Sequence, residues 1–429
     1  MTYREILDYI YKCLPMYQRV GAAAYKANLN NTIYLSGLLG NPENNFKSIH
    51  IAGTNGKGSV SHLIASFLQT KGLRVGLYTS PHLKDFRERI KINGKCISKQ
   101  YISRFFNNYK SEFDRKQLSF FEMTVGLAFK YFSDKKVDFA VIETGLGGRL
   151  DSTNIIYPAL SVITNISYDH TNLLGDSLLK IAAEKAGIIK ENIPIVIGET
   201  QDEIKDIFID AAKKNKAKIY FADNNISVKQ ILSSETEFDV YEVYFKDKVF
   251  IKNLQCPLKG FYQTKNLKTA LQAIKVIMDN NKDLTKKQVK EGFKEVINNT
   301  GLRGRWEILN KKPLTICDVA HNEAGIREVF LQVKTLKYKR LHIVFGMVND
   351  KNHKAVLDLL PRDAEYYFCR ADIPRAMEAK RLAALCLESG LKGASYSSVS
   401  MAFEAARKAA SIEDLILVCG SVFVVGEII

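Results

Sequence analysis

The chain has 429 residues, 46% of them hydrophobic and 25% charged, with a formal net charge of +16. That length exceeds what one hydrophobic core supports, so at least two domains of a soluble globular protein are expected. The positive excess is spread along the chain without a basic tail or an Arg-rich arm, which argues against nucleic acid as the main partner and suits polyanionic small substrates.

No apolar run approaches the roughly 20 residues that cross a bilayer, and the opening MTYREILDYIYK is too polar for a signal peptide, so a cytoplasmic protein with no membrane role is expected. Cys13, Cys96, Cys256, Cys317, Cys369, Cys386 and Cys419 lie far apart with no CxxC pair, which fits reduced, mostly buried thiols.

A helical pattern from Tyr3 to Cys13 is followed by LPMYQRVGAAAYK, whose Gly21 and small neighbours permit a loop over a ligand. A second helical stretch ends near Gly40. Ser48 to Ser59, SIHIAGTNGKGS, then joins an apolar strand to a glycine turn carrying Lys57, with a helix expected from Val60 to Thr70. Strand, glycine loop, lysine, hydroxyl and helix start form a phosphate cradle. Backbone N–H groups approach the oxygens, Lys57 adds a full charge and Ser59 can ligate magnesium. The spacing is short, since only Thr54 and Asn55 separate Gly53 from Gly56, where the usual P-loop has four residues.

The run RVGLY (74–78) is β-like and stops at Thr79-Ser80-Pro81-His82, which puts Ser80 and His82 at the C-terminal end of a sheet. Ser80 there is a metal or phosphate contact, or simply a turn serine before proline. SFFEMTVGLAFKYFS (119–133) reads as an amphipathic to buried helix with Glu122 near its positive end. VDFAVIE (137–143) reads as a buried parallel strand ending in Glu143, beside the glycine loop TGLGGRLDSTN. A carboxylate so placed is where a phosphate-binding α/β enzyme holds magnesium, unless the loop merely solvates it. LSVITN (160–165) makes another strand, followed by Asp169 and His170. In the helix LLKIAAEKAGII (178–189), Lys185 either snorkels to solvent or reaches back toward the site.

Short strands and helices alternate from Ile195 to Tyr220, and VYEVYFKDKVFI (240–251) suggests a hairpin around Lys246-Asp247. Helices are expected over 265–279 and 285–297, the second with a Thr285/Gln288 capping box. NNTGLRG (298–304) is the expected boundary. Beyond it, strands at 314–317, 341–345, 365–369 and 415–418 alternate with helices, and the first strand again ends in polar residues, Asp318, His321 and Asn322. The fold expected is α/β: a P-loop-type, mainly parallel phosphate-binding domain over 1–299 and a smaller Rossmann-like domain over 300–429.

GTNGKGS, YTSPHLKDFRERI, ETGLGGRLDSTN, ITNISYDH, IAAEKAGIIK, RGRWE, DVAHNEAG and CGSVFVVGE occur in an order that resembles folylpolyglutamate synthases and bifunctional dihydrofolate synthases of the Mur ligase superfamily. The resemblance implies an ATP-dependent amide ligase. A pteroate or folate carboxylate attacks the γ-phosphate to give an acyl phosphate, and the amine of L-glutamate displaces phosphate. Positioning and charge neutralisation carry such chemistry.

By the same resemblance, Gly53, Thr54, Asn55, Gly56, Lys57, Gly58 and Ser59 bind the ATP phosphates, with Asn266 and Arg305 as further ATP contacts. Ser59, Ser80, Glu143 and His170 ligate Mg²⁺ at two sites, and Lys185 matches a lysine carbamylated in this superfamily. Asp318 and His321 resemble residues that reach the nucleotide and reacting centre. Ser80, Pro81, His82, Phe120, Phe121, Asp151 and Ser152 line the folate-like substrate, and a monomer is expected. Two positions depart from the family pattern: Val319 and Glu323 stand where DGAHNP carries glycine and proline, and Trp306 stands where an aliphatic residue is usual, either stacking near adenine or packing at the hinge.

Two rivals remain open. Another superfamily ligase acting on a peptidoglycan precursor is one, although GTNGKGS and ETGLGGRLDSTN match the folate branch better. The other is a non-catalytic basic module binding nucleotide or nucleic acid, against which the ordered metal-ligand candidates argue.

Overall fold

The computed structural model describes residues 1–12, 28–232, 237–281, 283–349 and 353–429. The stretch LPMYQRVGAAAYK, expected to loop over a ligand, lies outside the described residues. The chain divides into two compact units. The first comprises Met1–Pro81, Phe86–Pro257 and Thr264–Gly301, and the second His82–Asp85, Leu258–Gln263 and Leu302–Ile429. The main division thus falls inside NNTGLRG, but two short upstream segments join the second unit, which a single linear boundary does not describe.

In the first unit the strands are β1 (Lys47–Ala52), β2 (Val75–Tyr78), β3 (Ile90–Ile92), β4 (Lys95–Cys96), β5 (Phe139–Glu143), β6 (Leu160–Ile163), β7 (Ile195–Ile197) and β8 (Ile219–Phe221). They form one sheet in the order β4-β3-β2-β5-β1-β6-β7-β8. All pairs are parallel except β2 with β3 and β3 with β4. The central strands are near-continuous apolar runs because helices cover both faces of such a sheet. Strand order reverses at β1, with β5 on one side and β6 on the other, so the carboxyl ends of β1, β2, β5 and β6 open on the crevice where α/β sheets bind ligands.

The helix after β1 runs from Lys57 to Gln69, three residues earlier than expected, with Gly56 as its N-cap at φ +84°. Lys57, Gly58 and Ser59 therefore lie in its first turn. The helix Phe120–Asp134 starts with a capping box. Ser119 Oγ accepts from Glu122 N, and Glu122 Oε2 accepts from Ser119 N at 2.6 Å, which gives Glu122 a structural task. The expected hairpin is β10 (Asp239–Phe245) and β11 (Lys248–Cys256), with β9 (Ile226–Leu232) as a third antiparallel strand. Lys246 and Asp247 both hold positive φ, the geometry that a two-residue turn needs to follow the twist of its strands.

The second unit has a six-stranded sheet in the order β12-β13-β17-β14-β15-β16. Its strands are β12 (Glu307–Lys311), β13 (Leu314–Cys317), β14 (Leu341–Phe345), β15 (Glu365–Phe368), β16 (Gly393–Ser395) and β17 (Leu415–Cys419). Only β12 is antiparallel to its neighbour. β12 and β16 sit at the edges and are partly or wholly exposed, so they carry little of the apolar signal that marks the four inner strands.

Candidate functional site

In the first unit the site is built on the loop between β1 and its helix. Gly53 holds φ +143°, and a Cβ there would stand 1.9 Å from Thr164 Oγ1, so only glycine lets the loop lie against the end of β6. The segment after β6 then holds the loop open. Thr54 N donates to Asn165 O at 2.9 Å, Asn55 N to Asn165 Oδ1 at 3.0 Å, and Thr164 Oγ1 to Asn55 O at 2.6 Å. Thr54 Oγ1 donates to Ser167 O at 3.1 Å and accepts from Ser167 N at 3.0 Å. These residues beyond β6 lie in the ITNISYDH motif, but their clamping of the loop was not legible in the sequence, because it is done by short polar contacts across more than a hundred residues.

Two lysines converge on one carbonyl. Lys57 Nζ donates to Gly53 O and Thr54 O, both at 3.0 Å, and Lys185 Nζ donates to Gly53 O at 2.9 Å. Lys185 is 4% exposed, so of the two fates open to it in the sequence it reaches inward. Burial, reinforced by the neighbouring Lys57 charge, pushes its pKa down to about 7. Both effects favour the neutral amine over the ammonium form.

Glu143, 3% exposed, ends β5, and its Oε2 accepts from Ser80 N at 3.2 Å. Ser59 is buried in the first turn of the helix after the loop. The Ser80-Pro81 peptide is cis. His170 holds φ +50°, with its N–H donating to Asp169 Oδ1 at 2.8 Å. Among the described residues no three His, Cys, Asp or Glu gather at metal-ligand spacing. Ser59, Ser80, Glu143 and His170, expected from the sequence to hold Mg²⁺, offer two hydroxyls, one carboxylate and one imidazole, donors of the kind Mg²⁺ accepts beside water, and of these Ser80 N and Glu143 Oε2 are in contact.

Asn266 is brought to the same loop. A Cβ on Gly56 would lie 2.2 Å from Asn266 Oδ1, so the carboxamide rests on the glycine turn. The loop after Glu143 is shaped by Asp151, whose Oδ2 accepts from Leu146 N at 2.8 Å and whose Oδ1 accepts from Thr153 N at 3.0 Å and from Thr153 Oγ1 at 2.5 Å. Burial raises the Asp151 pKa against these bonds. Thr153 Oγ1 also meets His50 Nε2 at 2.8 Å inside the sheet, and burial holds the His50 pKa down at about 3. Ser152 follows in the short helix Ser152–Ile155. A Cβ on Gly145 would meet the Phe121 ring at 2.7 Å and Asp151 Oδ2 at 3.3 Å. Phe121 is 37% exposed while Phe120 is buried, and the Arg89 guanidinium lies 5.0 Å from the Phe120 ring centre and 6.0 Å from that of Phe121. The two phenylalanines therefore differ: Phe120 belongs to the core cluster, and Phe121 reaches the surface.

The second unit gathers its own group at the end of β13. Asp318 Oδ2 accepts from the Tyr262 hydroxyl at 2.5 Å and from Trp306 N at 2.8 Å, and Oδ1 accepts from Ala320 N at 2.9 Å. His321 Nδ1 lies 2.9 Å from Val319 O, which acts as acceptor, and Asn322 caps the helix Glu323–Val333 through Gly325 N. Glu323, found where the family pattern has proline, opens that helix. Trp306 packs in the core of this unit with Ile316, Ile326 and Val329, which favours the packing alternative. His82 falls in this unit, whereas Ser80 and Pro81 belong to the first.

A profile of the Mur ligase middle domain matches residues 51–274, and one of the Mur ligase glutamate ligase domain matches 304–422. The chain is 32% identical, over 94% of its own length and 94% of the relative's, to the dihydrofolate synthase/folylpolyglutamate synthase of Bacillus subtilis. It is 30% identical over its full length to a probable bifunctional folylpolyglutamate synthase/dihydropteroate synthase of Haloferax volcanii, of which it spans half. Among solved structures, the Thermotoga maritima folylpolyglutamate synthase superposes with a TM-score of 0.82 at 31% identity, covering 99% of this chain and 95% of that one. The Yersinia pestis bifunctional folylpolyglutamate synthase/dihydrofolate synthase complexed with AMPPNP and Mn ion superposes at 0.85 with 27% identity, covering 100% and 97%.

Proposed function

The chain belongs to the folylpolyglutamate synthase/dihydrofolate synthase family of Mur ligases, and from that premise we propose that it joins L-glutamate to dihydropteroate, to reduced folates or to both, with ATP converted to ADP and phosphate. The observation that carries the reading is the convergence of Lys57 and Lys185 on the carbonyl of Gly53, in a glycine loop that leads into the helix start at Lys57, where a helix end favours phosphate. Lys57 is the group that turns to the ATP phosphates, and its positive charge offsets the charge that moves onto ADP. The carboxylate of the pteroate or folate attacks the γ-phosphorus, the bond to the β-phosphate oxygen breaks, and an acyl phosphate and ADP result. The glutamate nitrogen then bonds to the acyl carbon, phosphate leaves with the C–O electron pair, and the amine proton goes to solvent.

Ser59, Ser80, Glu143 and His170 are the residues we assign to two magnesium ions. Magnesium held there would supply positive charge to offset that of the phosphates. Asn266 keeps the glycine turn in shape for the nucleotide, Arg305 and His321 are assigned to ATP and glutamate, and Asp318 is assigned to holding the backbone beside Arg305. Phe121, Asp151, Ser152 and the Ser80-Pro81-His82 segment are assigned to the folate-like substrate. Phe121 gives a partly exposed ring for stacking, and Asp151 gives a carboxylate for the exocyclic N–H groups of a pterin.

Lys185 we assign as a carbamylation site. Its neutral nitrogen attacks the carbon of CO₂, an N–C bond forms as one C=O π bond opens, and the nitrogen proton passes to solvent, leaving a carboxylate-like group. A carbonyl signal from carbon-13-labelled bicarbonate, present in the parent and missing in Lys185→Ala, is the expected spectroscopic result, and no signal in the parent removes the assignment.

The whole reading is tested by ADP release from purified protein with ATP, Mg²⁺ and L-glutamate, adding dihydropteroate or tetrahydrofolate in turn. Turnover that requires glutamate and at least one pterin is expected. Turnover dependent on neither pterin overturns the folate reading.

A further inference from the structure

Trp306 holds φ at +47°, in the left-handed region that is strained for a bulky residue. The contact that holds it there is with a carboxylate, since Trp306 N donates to Asp318 Oδ2 at 2.8 Å. That oxygen is itself fixed from the other side by the Tyr262 hydroxyl at 2.5 Å. Tyr262 comes from the short segment Leu258–Gln263, far away in sequence but part of the same unit. The segment is shaped for the purpose. Gly260 holds φ +111°, and a Cβ there would stand 2.9 Å from the Tyr262 ring and 3.4 Å from Trp306 Cβ, so glycine makes room for both aromatic residues. Phe261 N donates to Gln332 Oε1 at 2.7 Å and Gln263 N to Gly260 O at 2.9 Å, which fixes the backbone on both sides of Tyr262.

Arg305 immediately precedes the strained Trp306. Its Nη1 donates to Gly304 O at 3.3 Å, and its positive charge acts on both Asp318 and Tyr262. Without the Tyr262 hydroxyl, Oδ2 would keep a single donor, the carboxylate could turn, and the Trp306 peptide could relax toward a cheaper φ. Arg305, one residue away on a glycine-flanked turn, would move with it.

We propose that Tyr262 is a positioning residue for ATP use: through Asp318 it holds the Trp306 peptide in its left-handed turn, and so sets where Arg305 presents its guanidinium. The proposal rests on the reading of Arg305 as an ATP contact.

The test is a double-mutant cycle with Tyr262→Phe and Arg305→Ala, reading KM for ATP and kcat in the ADP-release assay together with thermal melts. Loss of one hydrogen bond to a buried charge predicts a KM for ATP raised about tenfold in Tyr262→Phe, at nearly unchanged kcat and without a matching loss of the folded fraction. In the Arg305→Ala background the same change should add less than about twofold, because the group being aimed is gone. If Arg305→Ala leaves KM unchanged, the assignment of Arg305 fails and the proposal with it. If Arg305→Ala raises KM but Tyr262→Phe has no effect, or the same effect in both backgrounds, Arg305 stands and the role of Tyr262 is overturned. Calorimetric titration of ADP well below each melting temperature reads the same cycle should a variant lose stability.

Discussion

Glu143 at the end of β5 and Asp318 just past β13 look alike in the sequence: each is a carboxylate that follows four strand residues, the last three of them buried, and precedes a polar loop. Their surroundings differ. Asp318 takes three donors from its own unit, Tyr262, Trp306 and Ala320, and both its oxygens are engaged in holding the chain. Glu143 stands in a loop system held by other residues. Asp151 shapes the turn after it, Thr164 and Asn165 hold the phosphate loop beside it, and Ser80 N meets its Oε2 at 3.2 Å. A strand-terminal carboxylate is therefore a position, and what its neighbours leave for it to do decides its role.

The largest expected effect lies on the loop itself. Lys57→Ala should lower turnover by at least about a thousandfold, the scale of losing a preorganised charge at a phosphoryl group, while the thermal melt stays near that of the parent. Near-normal turnover would show that the cradle is misassigned. The comparison of carboxylates comes next. Glu143→Gln should reduce kcat by about a hundredfold or more with little change in melting, whereas Asp318→Asn should cost about 2–3 kcal/mol of stability in urea unfolding, because a buried amide N–H would face donors. If both substitutions behaved alike, the distinction would fail.

Lys185 sharpens the contrast from the side of charge. Its folded-state pKa of about 7 lies below the ordinary 10.5, so between these values the unfolded chain binds more protons than the folded one. Stability should accordingly rise with pH through that window, and Lys185→Met should flatten the rise. Activity should respond in the same direction. Below pH 7 the amine becomes charged, so turnover should fall and added bicarbonate should restore a part of it, about two- to tenfold for a group that assists at the metal rather than bearing the phosphate. Bicarbonate without effect at any pH would detach Lys185 from carbamate chemistry.

The inner strands, both α/β units and the glycine loop were legible because buried parallel strands are apolar runs that end in polar residues, whereas the order of the strands in each sheet was not, since it is set by contacts between runs far apart in the chain. Glu143, Lys57 and Lys185 were legible for the same reason, each breaking an apolar or glycine pattern. The edge strands β12 and β16 were not, since half-exposed strands have no core face to write into the sequence. Tyr262 escaped notice beside Gln263 and Asn266, because its partner Asp318 lies 56 residues away and aromatic residues are common before a helix. Asp151 could be placed by motif, but not the relay behind it: His50 looked like part of an apolar strand, and Thr153 like a loop hydroxyl.

That relay gives the smallest and most directional expectation. Thr153 Oγ1 donates to Asp151 Oδ1, so it must accept from His50 Nε2–H, and the imidazole is neutral because burial holds its pKa near 3. Thr153→Val keeps the shape and deletes the hydroxyl, leaving a buried N–H without an acceptor and Asp151 with one donor fewer. The stability cost should be about 1–2 kcal/mol. The Asp151 pKa is already raised by burial and is lowered in part by this hydroxyl, so removing the hydroxyl raises it further. The carboxylate form is the one that accepts pterin N–H groups. On acidification, KM for the pterin substrate should therefore begin to climb at a higher pH in Thr153→Val than in the parent, while KM for ATP keeps its pH profile. A shift in both profiles would mean that the substitution had disturbed the sheet beneath the phosphate loop, and an unshifted pterin profile would remove Asp151 from the substrate site.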